Sequence, residues 1–230
     1  MTDYAATRDR VEHYFDRTAT KVWERLTSDA PISGVRATVR AGRDKMRALL
    51  LAQLPEDLRG ARVLDAGCGT GAMAVELAQR GAEVVAVDIS PALVGIAENR
   101  MPRELAAQIT WVAGDMLDDT HGRFDHVLAM DSMIYYSASD IAGLLTKAAP
   151  RLNGKFAFTV APRTPALMAM WRVGKLFPRA DRSPVMIPQT TAGIAQALRD
   201  SHSKGRLAEI DQVKSGFYIS KALVFEGGRA

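Results

Sequence analysis

Val63-Leu64-Asp65-Ala66-Gly67-Cys68-Gly69-Thr70-Gly71 is the stretch on which the fold turns. An apolar run enters a turn of three glycines at alternate positions, and a helical pattern over residues 73–80 follows. Without Cβ atoms, such a turn lets a ligand lie against the backbone at the start of the helix. Asp65 stands two residues before the first glycine. A carboxylate there would repel a pyrophosphate but suits an ammonium group.

Outward from this turn, short apolar runs alternate with helix-length segments. The runs cover 84–87, 109–112, 124–130 and 155–161, and helices are predicted over 91–100 and 141–149. This is the pattern of βαβ units around a parallel sheet. Asp88 closes the second run, 23 residues after Asp65, where an acid can take both ribose hydroxyls of a nucleoside. Ile89 follows it. After the third run come Gly114-Asp115-Met116, a carboxylate that can accept from an adenine amino group and an apolar neighbour that can cover the ring. Three acids at successive strand ends fit a ligand with an ammonium, a ribose and an adenine but no phosphate. That ligand is S-adenosylmethionine. A nicotinamide-dependent dehydrogenase is disfavoured because Asp65 opposes phosphate and Ala72, not glycine, follows Gly71.

Helical patterns over 4–29, rich in aromatics, and over 35–54, stopped by Pro55, precede this core. Beyond it, proline and glycine punctuate 162–188 around an apolar helix candidate at 166–176. A helix at 190–200 and two strands, 207–213 and 217–225, close the chain. The two strands, separated by Ser215-Gly216, read as a hairpin that puts an antiparallel edge on the sheet. The expected architecture is a single α/β domain of Rossmann-like type with a mostly parallel seven-stranded sheet. Its parts are a helical cap (1–55), a cofactor-binding core (56–161), a substrate-cap insertion after the fifth strand (162–188) and a closing segment (189–230).

The 230 residues are 47% hydrophobic and 24% charged, enough for a buried core. The single cysteine, Cys68, excludes an intramolecular disulfide framework and reads as a small, inert residue of the turn, so a reducing cytoplasm is expected. Neither a signal sequence nor a membrane span is apparent. The four histidines show no metal spacing, and no protein metal site is expected. The net charge of +4 is unevenly spread: residues 56–150 carry −7 and residues 151–206 carry +8. The latter excess suits a solvated face or an anionic partner. The segment Met130-Asp131-Ser132-Met133-Ile134-Tyr135-Tyr136 should face the methyl donor, with Asp131 in the donor site. It lacks the Asn/Asp-Pro-Pro-Tyr/Phe pattern of nucleobase amine methylation, which disfavours nucleic acid as substrate.

The donor motifs resemble those of class I methyltransferases. Tyr14-Phe15-Asp16-x-Thr18, Trp23, Asp29, Val39-Arg40-x-Gly42-Arg43 and Phe217-Tyr218-Ile219-Ser220-Lys221 resemble, more narrowly, the magnesium protoporphyrin IX O-methyltransferases of bacteriochlorophyll and chlorophyll synthesis. That resemblance implies methylation of one propionate of magnesium protoporphyrin IX, with S-adenosylhomocysteine (SAH) as product and magnesium present only inside the substrate. It also implies the porphyrin-binding subunit of magnesium chelatase as a candidate partner, and at most peripheral association with the photosynthetic membrane. Tyr135 stands where cyanobacterial and plant members tend to carry a histidine, and Thr27 where they tend to carry a tyrosine. Tyr135 is the candidate that orients the reacting carboxylate, with Tyr136 beside it; Tyr14, in the cap with Phe15 and Trp23, is the second catalytic candidate. Arg40, Arg43, Tyr136, Arg163 and Trp171 are candidates for binding the porphyrin, and Arg172, Lys175 and Arg179 are further cations available to its second propionate. Other readings are an O-methyltransferase for another hydrophobic acid or phenol, and a non-catalytic S-adenosylmethionine-binding scaffold.

Overall fold

The computed structural model describes residues 2–15, 34–164, 168 and 186–227. Among the described residues, two helices, α1 (Thr2–Tyr14) and α2 (Gly34–Leu51), precede the sheet. Then follow β1 (Arg62–Ala66), α3 (Ala72–Gln79), β2 (Glu83–Asp88), α4 (Pro91–Arg100), β3 (Ile109–Ala113), β4 (His126–Ala129), α5 (Ala138–Ala148) and β5 (Lys155–Val160). The chain closes with α6 (Thr191–Asp200), β6 (Arg206–Ser215) and β7 (Tyr218–Glu226). Seven strands form one sheet in the order β3-β2-β1-β4-β5-β7-β6. Five are parallel, and β7 runs antiparallel to both β5 and β6. The chain leaves β1 toward β2 on one side and reaches β4 on the other. In open α/β sheets a ligand crevice lies at that reversal, outside the carboxyl ends of the strands.

Strand alternation sorts the core onto the two faces of the sheet. In β5, Phe156, Phe158 and Val160 join Ile141, Leu145, Ile194 and Leu198 of α5 and α6. The intervening Ala157 faces the opposite cluster, which holds Met46 and Leu50 of α2 and Met73 and Leu77 of α3. The helix starts follow local chemistry. Ser90 caps α4 and Pro91 takes its first position, while Ser137 and Asp140 form a capping box that starts α5 three residues before the predicted 141. Helix α2 ends at Leu51, short of the predicted 54, and the chain turns before Pro55. The predicted strand over 124–130 is shorter in the structure, where Phe124 makes only an isolated bridge to Leu152.

Helix α2 packs on the β6–β7 hairpin through Gly42. A Cβ there would meet Tyr218 Cδ1 at 2.7 Å and the Cβ atoms of Ser215 and Tyr218 at 3.0 Å. Gly42→Ala gains about 0.5–1 kcal/mol of helix propensity but overpacks this contact at a cost of about 1–3 kcal/mol. A net loss of about 1 kcal/mol is expected from denaturant unfolding.

The insertion after β5 leaves and rejoins the fold at one place. Pro162 bridges Gln189, whose amide donates to Ala161 O at 2.8 Å, and Arg163 N donates to Gln189 O at 3.0 Å. The helix candidate at 166–176, apart from Met168, lies outside the described residues, as do most of the insertion 162–188 and residues 16–33.

Candidate active site

Strand β1 delivers the chain into a loop whose three glycines all have positive φ: 86° at Gly67, 54° at Gly69 and 84° at Gly71. Their reasons differ. A Cβ on Gly67 would fall 2.3 Å from Ser132 Cβ, and one on Gly71 would fall 2.6 Å from the Trp111 ring. Gly69 has nothing within 4 Å of such a Cβ, so it is the residue that presents bare backbone to a ligand. Beside this loop, at the carboxyl ends of β1, β2, β3 and β4, opens a cavity of about 410 Å3. That lies within the usual range for small-molecule sites.

Asp65, 2% exposed, has one carboxylate oxygen, Oδ2, that is buried without a hydrogen-bond partner. Burial, reinforced by the charge of nearby Asp88, pushes its pKa up to about 7, against smaller opposing effects of the Ala74 amide and Arg47. An unpartnered buried carboxylate oxygen on the wall of a cavity suits a cation. Asp88 is also raised by burial, and it clasps backbone: Oδ2 accepts from Gly69 N at 2.8 Å and Oδ1 from Ser90 N at 3.0 Å. Asp115 accepts from Leu117 N at 3.0 Å and from the Tyr4 hydroxyl at 2.9 Å, while Arg8 lies 3.4 Å from its other oxygen. Helix α1 thus reaches Asp115 on the cavity wall.

The opposite end is built on Asp131, two residues beyond β4, whose φ of 58° is rare for a residue with a side chain. Its carboxylate accepts from Arg43 at 2.6 Å, the Tyr218 hydroxyl at 3.0 Å and the Thr159 hydroxyl at 3.3 Å. Next in the chain, Ser132 Oγ donates to Ala66 O at 2.7 Å, and the turn Met133–Tyr135 follows. Tyr136 stacks on Tyr4 with centroids 5.1 Å apart, and Tyr135 meets the edge of Phe15 at 6.2 Å. Burial raises the pKa of both tyrosines, so their phenols keep the proton at neutral pH.

All the sequence-predicted donor residues but one line the cavity: Asp65, Gly67, Cys68, Gly69, Asp88 and Ile89, then Asp115, Met116 and Asp131. The exception, Gly71, shapes the loop from behind, against Trp111. Arg40, Arg43, Tyr135 and Tyr136 also line it. Tyr14 does not; it packs on Phe15 with centroids 5.2 Å apart. Arg163 sits at the stem of the insertion, off the cavity wall. Trp171, together with Arg172, Lys175, Arg179, Thr18, Trp23, Thr27 and Asp29, lies outside the described residues. Sequence reasoning missed Tyr4, Arg8, Arg47 and Tyr218. Arg47 carried a usable signal, since Arg40, Arg43 and Arg47 repeat at helical spacing, and Tyr218 stood in a stretch that carried the family resemblance without a role assigned to it. No histidine is on the cavity wall among the described residues. Cys68 is buried there and its thiol pKa is pushed well up by burial, which makes it inert.

Residues 63–154 match a general methyltransferase domain, and residues 129–226 match the family described as the C-terminus of magnesium-protoporphyrin IX methyltransferase. A magnesium-protoporphyrin O-methyltransferase of Rhodobacter capsulatus is 56% identical across 97% of this chain and 98% of its own. This chain belongs to that family. A second magnesium-protoporphyrin O-methyltransferase, from Synechocystis, is 30% identical over 93% of both chains. The crystal structure of magnesium protoporphyrin IX methyltransferase from Synechocystis with bound SAH aligns at a TM-score of 0.78 and 29% identity, covering 96% of this chain and 100% of that one. Family membership and the site agree on the methyl donor. The open face of Gly69, the orphaned Asp65 oxygen and the acid at the end of β2 fit the chemistry of S-adenosylmethionine.

Proposed function

We propose that the chain transfers a methyl group from S-adenosylmethionine to a propionate carboxylate of magnesium protoporphyrin IX, giving the monomethyl ester and SAH in bacteriochlorophyll synthesis. The observation that carries this reading is the 56% identity to the Rhodobacter capsulatus enzyme along nearly the whole of both chains. Bound S-adenosylmethionine supplies an electrophilic methyl group on a sulfonium. A carboxylate is ionised at neutral pH and needs no strong base to attack it. The protein's task is alignment and exclusion of water, which can lower a barrier by several kcal/mol.

The residues divide that task. Asp65, Asp88 and Asp115 hold the donor end. At the acceptor end the Arg43–Asp131 pair is internally neutralised and the buried phenols of Tyr135 and Tyr136 stay protonated, so an anionic carboxylate meets no bare negative charge. Arg40, Arg43, Arg163 and Trp171 are the proposed contacts of the macrocycle and its second propionate, and Tyr14 supports the cap through Phe15. Residues 1–55 and 162–188 are proposed to act as cap and substrate-facing insertion around a core of 56–161, with 189–230 closing the domain. The charge of +8 over 151–206 supports an acidic partner, which we assign to the porphyrin-binding subunit of magnesium chelatase. Among the described residues no helix is long and apolar enough to cross a membrane, and any membrane association is proposed to be peripheral.

Incubation with methyl-labelled donor and magnesium protoporphyrin IX, followed by chromatography, is expected to give labelled monomethyl ester. Absence of ester would overturn the reading, and label on a phenol instead would shift it to another acceptor. A phenol needs a base to ionise it near neutral pH, and the cavity offers no histidine among the described residues. Tyr135→Phe is expected to lower kcat by about tenfold to a hundredfold without changing donor affinity, because a hydrogen bond to a carboxylate is worth about 1.5–3 kcal/mol. Steady-state kinetics and SAH calorimetry would check both parts.

A further inference from the structure

We propose that Tyr218 is a positioning residue for the methyl transfer: its hydroxyl, carried on β7, fixes Asp131 and through it the turn that brings Tyr135 and Tyr136 into the cavity. The inference rests on the reaction proposed above and assigns a role to the carboxyl-terminal hairpin, far in sequence from every donor-binding residue.

Asp131 adopts a left-handed backbone, which persists in a residue with a side chain only where its surroundings over-determine it. They do so here. Its amide donates to Thr159 Oγ1 at 2.8 Å, its Oδ2 accepts from Arg43, and its Oδ1 accepts from both Thr159 and Tyr218. Thr159 and Tyr218 belong to paired strands, β5 and β7, so two of the three side-chain donors stand on the sheet itself. The conformation of Asp131 sets the direction in which the chain leaves β4. Ser132 then docks on Ala66 O and fills the space beside Gly67, and Met133–Tyr135 turns the two tyrosines toward the cavity. One residue thereby links the acceptor turn to the donor loop.

Tyr218 is itself held in place. Its ring lies against Gly42 of α2, at a separation that leaves no room for a Cβ, and its neighbour Ser215 donates to Thr38 O of the same helix at 2.7 Å. The phenol is off the cavity wall, so it acts through Asp131 and not on the substrate. Burial keeps it protonated, as a donor to a carboxylate must be.

The test is Tyr218→Phe, which keeps the ring against Gly42 and removes only the hydroxyl. We expect kcat with magnesium protoporphyrin IX to fall about fivefold to tenfold, with SAH affinity by calorimetry within about twofold of wild type. Asp131→Asn should lower kcat comparably, and the double variant should be no slower than the slower single one, since both act through one contact. Unchanged kcat with a lower melting temperature would show a packing role alone and overturn the proposal, as would losses that multiply in the double variant. Should Tyr218→Phe fail to fold, Thr159→Val removes another donor to the same oxygen; kcat unaffected by it would equally overturn the proposal. Wild-type enzyme assayed in parallel separates the two levels: no ester from wild type condemns the reaction, whereas full kcat in Tyr218→Phe condemns only the role of Tyr218.

Discussion

Replacing Asp88 with alanine is expected to weaken donor binding by at least about a hundredfold while the sheet stays folded. The side chain is 8% exposed and carries two structural duties besides its proposed contact with the ribose. One oxygen holds the amide of Gly69, the residue with bare backbone toward the ligand, and the other holds the amide of Ser90, which caps α4 by accepting from Leu93 N. A hydrogen bond to a charged group contributes about 1.5–3 kcal/mol, and about 1.4 kcal/mol is tenfold in affinity. Losing the ribose contact together with either amide clasp therefore exceeds a hundredfold. Calorimetry with SAH, alongside circular dichroism to show retained helix, measures the effect. Affinity within tenfold of wild type would mean that Asp88 holds neither the loop nor the ligand. Asp88→Asn should fall between, because its amide oxygen can still accept from one backbone N–H.

The donor half was legible because its chemistry is local. Asp65, Gly67, Gly69 and Asp88 lie within one βαβ unit, so strand periodicity plus glycine spacing is enough to place them at one crevice. The paired apolar runs at the carboxyl end likewise announced the hairpin. What sequence could not show was long-range convergence. Tyr4 and Arg8 reach Asp115 across more than a hundred residues, and Tyr218 reaches Asp131 across 87. Nothing in the local pattern of a lone tyrosine distinguishes such a bond from ordinary core packing. The strain at Asp131 was hidden for a related reason: a left-handed residue with a side chain is fixed by its neighbours in space, and only glycine advertises that conformation in sequence. The missed capping box at Ser137 is different in kind. Its Ser-x-x-Asp spacing was readable and sets the start of α5.

The two ends of the cavity differ in electrostatics. Toward the donor, Asp65 and Asp88 are buried acids whose pKa values rise, and Asp65 Oδ2 has no partner. Toward the acceptor, Asp131 is covered by Arg43, Thr159 and Tyr218. On the proposed reading the cationic donor meets an open carboxylate and the anionic acceptor a neutralised one.

The lone pair left open on Asp65 makes donor binding proton-linked. With its pKa near 7, the free enzyme holds a proton on Asp65 below that pH, and the proton must leave before the carboxylate can meet an ammonium. Affinity for SAH is therefore expected to fall with acidity, about fivefold from pH 7 to pH 6 and by at most about tenfold per further unit. The sign for folding is consistent. An aspartate that titrates near 4 when unfolded and near 7 when folded binds more protons in the folded state between those values. The ligand-free protein should thus lose stability as pH rises from 4 through 7, and the donor should restore it by stabilising the ionised form. At pH 7 the binding enthalpy should vary with the ionisation enthalpy of the buffer, because binding releases a fraction of a proton. Asp65→Asn keeps the shape, removes the charge and should cost about a hundredfold in affinity at pH 7.5, the value of a charged hydrogen bond in a buried site. The variant should also flatten both the pH profile and the buffer dependence. Wild-type affinity that is flat between pH 5.5 and 7, with no buffer dependence, would mean that Asp65 is already ionised in the free enzyme and that its open oxygen is solvated. The contact of Asp65 with the ammonium would then rest on the affinity lost in Asp65→Asn alone.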